Sequence, residues 1–109
     1  MRHKSQRYFV YILSNSNKTL YVGVTNNLFA RVWQHRHSNS SKFVVKHDLS
    51  KLVWFDETDD VSVAIAHEKK LKNWRRQWKI DLVESSNPEW LDLASEWYEV
   101  ENDSESSSE

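Results

Sequence analysis

Two runs of β-branched and aromatic residues, 8–13 (YFVYIL) and 19–25 (TLYVGVT), stand either side of five turn formers, 14–18 (SNSNK). This arrangement predicts a β-hairpin. Side chains alternate between the two faces of a strand, so the register of the hairpin decides which residues meet. If the partner numbers sum to an even value, Tyr11 and Tyr21 face the same side, and Gly23 faces it with them. A lone glycine inside a strand often marks a close approach of backbone or ligand. Tyrosines are equally at home packing on any sheet surface. Gly23 and Pro88 are the only glycine and proline of the 109 residues, which excludes glycine-rich phosphate loops.

Beyond the hairpin the periodicity changes. Asn26 or Asn27 can cap a helix running to about His37, with Leu28, Phe29, Val32 and Trp33 at helical spacing. A loop is predicted at 38–41 (SNSS), 42–50 is ambiguous, and 52–55 reads as a third strand. Asp59 or Asp60 can cap a helix over 61–74 whose apolar stripe is Ala64, Ile65 and Leu71. A further helical stretch over 75–85 places Trp74, Trp78 and Leu82 on one face. Asn87-Pro88 reads as a helix restart, followed by a last short helix carrying Trp90, Leu91, Ala94 and Trp97. The predicted order is β-β-α-β-α-α-α. That is an α+β domain, a small three-stranded, mainly antiparallel sheet flanked by helices.

Length allows one domain, expected over 8–98 after a polar lead at 1–7. No apolar run approaches the ~20 residues of a membrane span. The lead does not read as a secretory signal, so a cytoplasmic location is expected. With no cysteine, disulfide scaffolds, thiolate nucleophiles and thiolate zinc sites are excluded. Charge is unevenly spread. The stretch 99–109 (EVENDSESSSE) holds five of the 16 acids and none of the 15 lysines and arginines, so residues 1–98 carry 15 − 11 = +4. The body reads as mildly basic, which permits a polyanionic partner. The tail reads as acidic and disordered.

Few residues carry chemistry. Arg31 and His35, four apart, project from one helix face and can make an anion site, or simply a solvated surface. Glu68 stands amid the apolar stripe. A carboxylate there is costly unless paired or metal-bound. Lys72, four residues on, is the obvious ionic partner. A hard cation such as Mg²⁺ is the other possibility, because it accepts one carboxylate plus waters and phosphate oxygens. The run 69–79 (KKLKNWRRQWK) holds six bases and two tryptophans. Lys69, Lys72, Arg75 and Arg76 can track a phosphate backbone, or form a solvated face over a tryptophan core.

Taken in order, these positions resemble the GIY-YIG nuclease superfamily. Phe9-Val10-Tyr11 matches the first half-motif and Tyr21-Val22-Gly23 the second. Arg31, His35 and the helix-borne Glu68 follow. The stretches YFVYILSNSNKTLYVGVTNNLFARVWQHR and AIAHEKKLKNWRRQWKIDLVESSNPEW look like small stand-alone bacterial members, similar to the N-terminal domain of the UvrC excinuclease subunit. The likeness spans about 8–97. It implies metal-dependent cleavage of DNA phosphodiesters, structure-preferring rather than sequence-specific, and a link to DNA repair. By matching position, Tyr11 and Tyr21 would flank the attacking water, and one of them or His35 would remove its proton. Arg31 would bind the scissile phosphate. Glu68 would hold Mg²⁺ or Mn²⁺, and Asn87 would be the late asparagine of some members. Phe9 stands where the motif has its first glycine, as is common in that subgroup. A body this small offers little surface for sequence readout, so it would bind weakly, recognise DNA shape or rely on a protein partner supplying targeting. A nucleic-acid-binding module on the same fold with weak or no catalysis, and an interaction domain whose acidic tail matters most, are the competing functions.

Overall fold

The computed structural model describes residues 6–37 and 48–98. The polar lead (in large part), the predicted loop at 38–41, most of the ambiguous stretch 42–50 and the acidic tail lie outside the described residues. Among the described residues three strands and three helices follow in the order β1 (Tyr8–Ser14), β2 (Leu20–Thr25), α1 (Leu28–His37), β3 (Lys51–Thr58), α2 (Val61–Asn73) and α3 (Arg76–Ser86). The sheet order is β2-β1-β3, antiparallel throughout. The α+β architecture predicted from the sequence is therefore present.

The predicted hairpin turn forms because Asn15 Oδ1 accepts from the amides of Asn17 and Thr19, while Lys18 takes a left-handed φ of 62°. β1 pairs with β2 as Phe9↔Thr25, Tyr11↔Gly23 and Leu13↔Tyr21. The sums are even, so Tyr11, Tyr21 and Gly23 share one face. Asn27 caps α1 by accepting from the Ala30 amide, and Asp60 caps α2 through the Ser62 and Val63 amides.

As the central strand, β1 is buried on both sides, so its pattern is a continuous apolar run rather than an alternation. On one face Val10, Ile12, Val22, Val53 and Trp54 pack with Ala64 and Leu71 of α2 and Val83 of α3. On the other, Tyr11, Leu13 and Leu52 pack with Leu28 and Val32 of α1, together with Ala94. A bulge sets this division. Ile12 pairs with Trp54 but Leu13 pairs with Leu52, which leaves Val53 extra. The extra residue moves Leu52 to the α1 side and keeps Val53 with Trp54.

Three expectations differ. The predicted final helix is a series of turns over 88–98. The segment is committed to the β3 bulge instead. Asn87 Nδ2 donates to the carbonyls of Val53 and Leu91, and its Oδ1 accepts from the Leu91 amide. Asp92 Oδ1 accepts from the amides of Leu52 and Ala94, and the Leu93 amide donates to Leu52. With Trp90 at φ 57°, no helical ladder can run through. Second, only Ala64 and Leu71 of the α2 stripe are buried, while Ile65 is exposed. Third, Trp78 does not enter a core. It is 50% exposed, and Trp74 is only partly covered.

Candidate active site

Tyr11 occupies the middle of β1 and is 1% exposed. Its ring lies over Gly23, its cross-strand partner. A Cβ on Gly23 would stand 2.5 Å from both Cζ and Oη of Tyr11, well inside contact distance. The glycine is therefore required by the phenol above it, not by backbone torsion. The Tyr11 hydroxyl shares a hydrogen bond of 3.1 Å with Nε2 of His35. His35 is buried on the inward face of α1, three residues after Val32, which anchors that helix to the sheet.

Tyr21 completes a triangle of rings. Its centroid lies 6.4 Å from that of Tyr11 and 5.7 Å, edge to face, from that of His35; Tyr11 and His35 are 6.0 Å apart. Tyr11 is central and buried, and Tyr21 sits on β2 at the rim of the sheet, partly open to solvent.

Two charges act on this triangle. Burial is the main reason the Tyr11 phenol is held well above the ordinary tyrosine value of 10.0. The neighbouring Tyr21 and the Glu68 carboxylate push it further in the same direction, and the Arg31 guanidinium opposes them. His35 is displaced below its ordinary 6.5, first by burial and then by Arg31. Both groups are thus uncharged at neutral pH: Tyr11 as a phenol, His35 as an imidazole with one N–H and one accepting nitrogen.

Glu68 reaches this field from α2, the helix on the opposite face of the sheet. It shares the α2 face of Ala64 and Leu71, and its side chain is 13% exposed. Its carboxylate meets Lys72 Nζ at 2.6 Å. That ammonium, on a largely exposed stem, stands where a cation satisfies the carboxylate. Among the described residues no cluster of three or more His, Asp or Glu could hold a metal alone. The donor set fits a hard divalent ion that takes one carboxylate and draws its other oxygens from water and phosphate.

The structure thus brings Tyr11, Tyr21, Gly23 and His35 together on one face of the sheet, while the charges of Arg31 and Glu68 act on Tyr11, Glu68 from the helix on the opposite face. Asn87 is elsewhere, buried and bonded to the backbone at the β3 bulge. Lys69, Lys72, Arg75 and Arg76 are exposed along the end of α2 and the start of α3. Not singled out by the sequence is a cleft of about 430 Å³ lined in part by Phe9, Phe29, Phe55 and Trp97. No local signal marks it, because its walls come from distant parts of the chain.

A family model, the GIY-YIG catalytic domain, matches residues 7–81. The chain belongs to the GIY-YIG family. The match takes in all three strands, α1 and α2, and ends before Asn87. Relatives of the chain include a UPF0213 protein of Syntrophus aciditrophicus, 38% identical over 74% of this chain and 93% of the relative. Others are UPF0213 proteins of Clostridium perfringens (32% identical; 72% of this chain, 85% of the relative) and Haloquadratum walsbyi (31%; 71% and 86%). No solved structure matches. No helix among the described residues is long and apolar enough to cross a membrane.

Proposed function

We propose that this GIY-YIG protein is a metal-dependent endonuclease that hydrolyses DNA phosphodiester bonds and selects DNA by structure rather than by sequence. The observation that carries this reading is the buried 3.1 Å contact between the Tyr11 hydroxyl and His35 Nε2, set within the fields of Arg31 and Glu68.

Phosphodiester hydrolysis must deprotonate water, hold the phosphate as negative charge builds on it, and stabilise the leaving oxygen. Arg31 supplies forked donors to the phosphate. Burial first, and then the charge of Arg31, keep His35 neutral, so that the imidazole is available as a proton acceptor near neutral pH. Tyr11, held as a phenol, orients His35 through their shared hydrogen bond. Tyr21, at the partly open rim, positions the water. The base is thus His35, or Tyr21 passing its proton to His35. Glu68 would hold Mg²⁺ or Mn²⁺. When bound, such a cation offsets negative charge on the phosphate and the leaving oxygen.

A second reading is a nucleic-acid-binding module without catalysis. The Glu68–Lys72 pair favours it, because that contact satisfies the carboxylate without any metal. One assay separates the two. Wild type and Glu68→Ala are incubated with labelled duplex, single-stranded, flap and branched DNA in Mg²⁺, Mn²⁺ or EDTA. Metal-dependent cutting by the wild type alone is expected. Binding without cutting by either protein selects the second reading.

A further inference from the structure

The stretch from the last turn of α2 into α3 combines two features the active site does not use. One is unneutralised charge. Of Lys69, Lys70, Lys72, Arg75, Arg76 and Lys79, only Lys72 forms an ion pair among the described residues. The mutual repulsion is felt locally: burial first, then Arg76, hold the Lys79 ammonium below the ordinary lysine value. The other is exposed aromatic surface. Trp74 and Trp78 meet at 87° with centroids 5.9 Å apart and line a groove of about 350 Å³, whose other residues are Leu82, Ser85 and Asp81, the last accepting a hydrogen bond from Gln77 Nε2. Lys70 lies 5.9 Å from the Trp74 centroid and Arg75 lies 5.6 Å from that of Trp78.

Lys70 and Arg75 each cover part of an indole and Trp74 packs partly on the core, but Trp78 is still half exposed. We infer that this groove holds an unpaired DNA strand, one base stacked on Trp78 and the flanking phosphates on Arg75, Arg76 and Lys69. The inference rests on the endonuclease reading and narrows its substrate class to DNA with a single-stranded segment beside the cut.

The choice of occupant follows from the indoles of the groove and the cations that lie beside them. Phosphates satisfy the cations, but only an unstacked base offers a flat face to an indole. In a duplex those faces are already buried against one another. An acidic peptide would match the charge and leave the tryptophans uncovered. The cationic run also begins at the site itself, because Lys72 is the residue bonded to Glu68.

The test is binding by the full chain in EDTA, where no cleavage occurs, followed by fluorescence anisotropy on labelled oligo-dT and on a duplex of equal length. Wild type is expected to prefer the single strand. Trp78→Ala should reduce that preference about tenfold, in line with the loss of one stacked base, and Trp78→Phe should restore part of it. Trp78 is half exposed, so neither substitution threatens the fold. An unchanged preference in Trp78→Ala would overturn the inference. So would an acidic peptide of equal charge that competes as well as the oligonucleotide. Binding in EDTA is read independently of catalysis. A wild type that fails to cut in metal yet shows the Trp78 effect loses the nuclease reading and keeps the strand site.

Discussion

The ring of Tyr11 rests on Gly23, its partner across the β1–β2 ladder, so closely that a single methyl group on the glycine would stand 2.5 Å from the phenol's Cζ and Oη. The second half-motif therefore keeps its glycine because the first half-motif's tyrosine lies over it. Gly23→Ala must push the Tyr11 ring aside. The ring cannot yield cheaply, being 1% exposed and bonded to His35. We expect a loss of about 1–3 kcal/mol from overpacking, read by urea denaturation, and a larger fractional loss of cleavage than stability alone explains. An alanine variant of wild-type stability would mean the ring has room that the geometry denies it.

Tyr11→Phe keeps that ring and removes only its hydroxyl. His35 then loses a buried partner, at about 1 kcal/mol of stability. Cleavage should fall far more than the stability does, because the imidazole is no longer held in place. Single-turnover rates at saturating protein separate this effect from weakened binding.

His35 gives the protein a pH signature. Its folded-state value lies below the 6.5 of an unfolded histidine. As pH falls through that window the unfolded chain binds protons that the folded one does not. The contribution of His35 to stability is therefore complete above pH ~6.5 and is lost as pH drops to the folded value. Urea titrations of wild type and His35→Gln across this range should show a steeper acid decline in the wild type. The acid limb of the cleavage profile should likewise lie below 6.5.

Arg31→Ala should act twice. Removing a donor from the phosphate is expected to lower the rate by ~10². Removing a positive charge beside His35 should raise the imidazole's proton affinity and move the acid limb of cleavage to higher pH. A rate loss without that movement would mean Arg31 touches substrate alone.

Asn87→Ala tests a different kind of contact. All of its side-chain hydrogen bonds go to backbone at Val53 and Leu91. Leaving those buried groups unpaired should cost about 1–3 kcal/mol, seen as a lower denaturation midpoint.

Much of this was legible in the sequence, for local reasons. The hairpin followed from two β-rich runs and a turn rich in asparagine. Tyr11, Tyr21 and Gly23 then fell on one face because strand geometry leaves a choice of two. Asn27 and Asp60 were legible as caps. The failures share a cause. Asn87-Pro88 is a sound helix-start signal, but the side chains of Asn87 and Asp92 found partners in a bulge that no local pattern announces. Trp74 and Trp78 have core spacing, yet α3 turns Val83, not Trp78, towards the sheet. The Tyr11–His35 contact joins residues 24 apart in the chain, and periodicity carries no information about such pairs.

The tyrosine at the heart of the site belongs to the one strand hydrogen-bonded on both edges and covered on both faces. Its amide should be among the slowest in the molecule to exchange with heavy water, released only when the whole domain opens. Fraying at a chain terminus then leaves Tyr11 in place, and this tyrosine cannot melt ahead of the fold. A variant that weakens the sheet would lose activity in step with its folded population, and chaperones or osmolytes that restore one would restore the other.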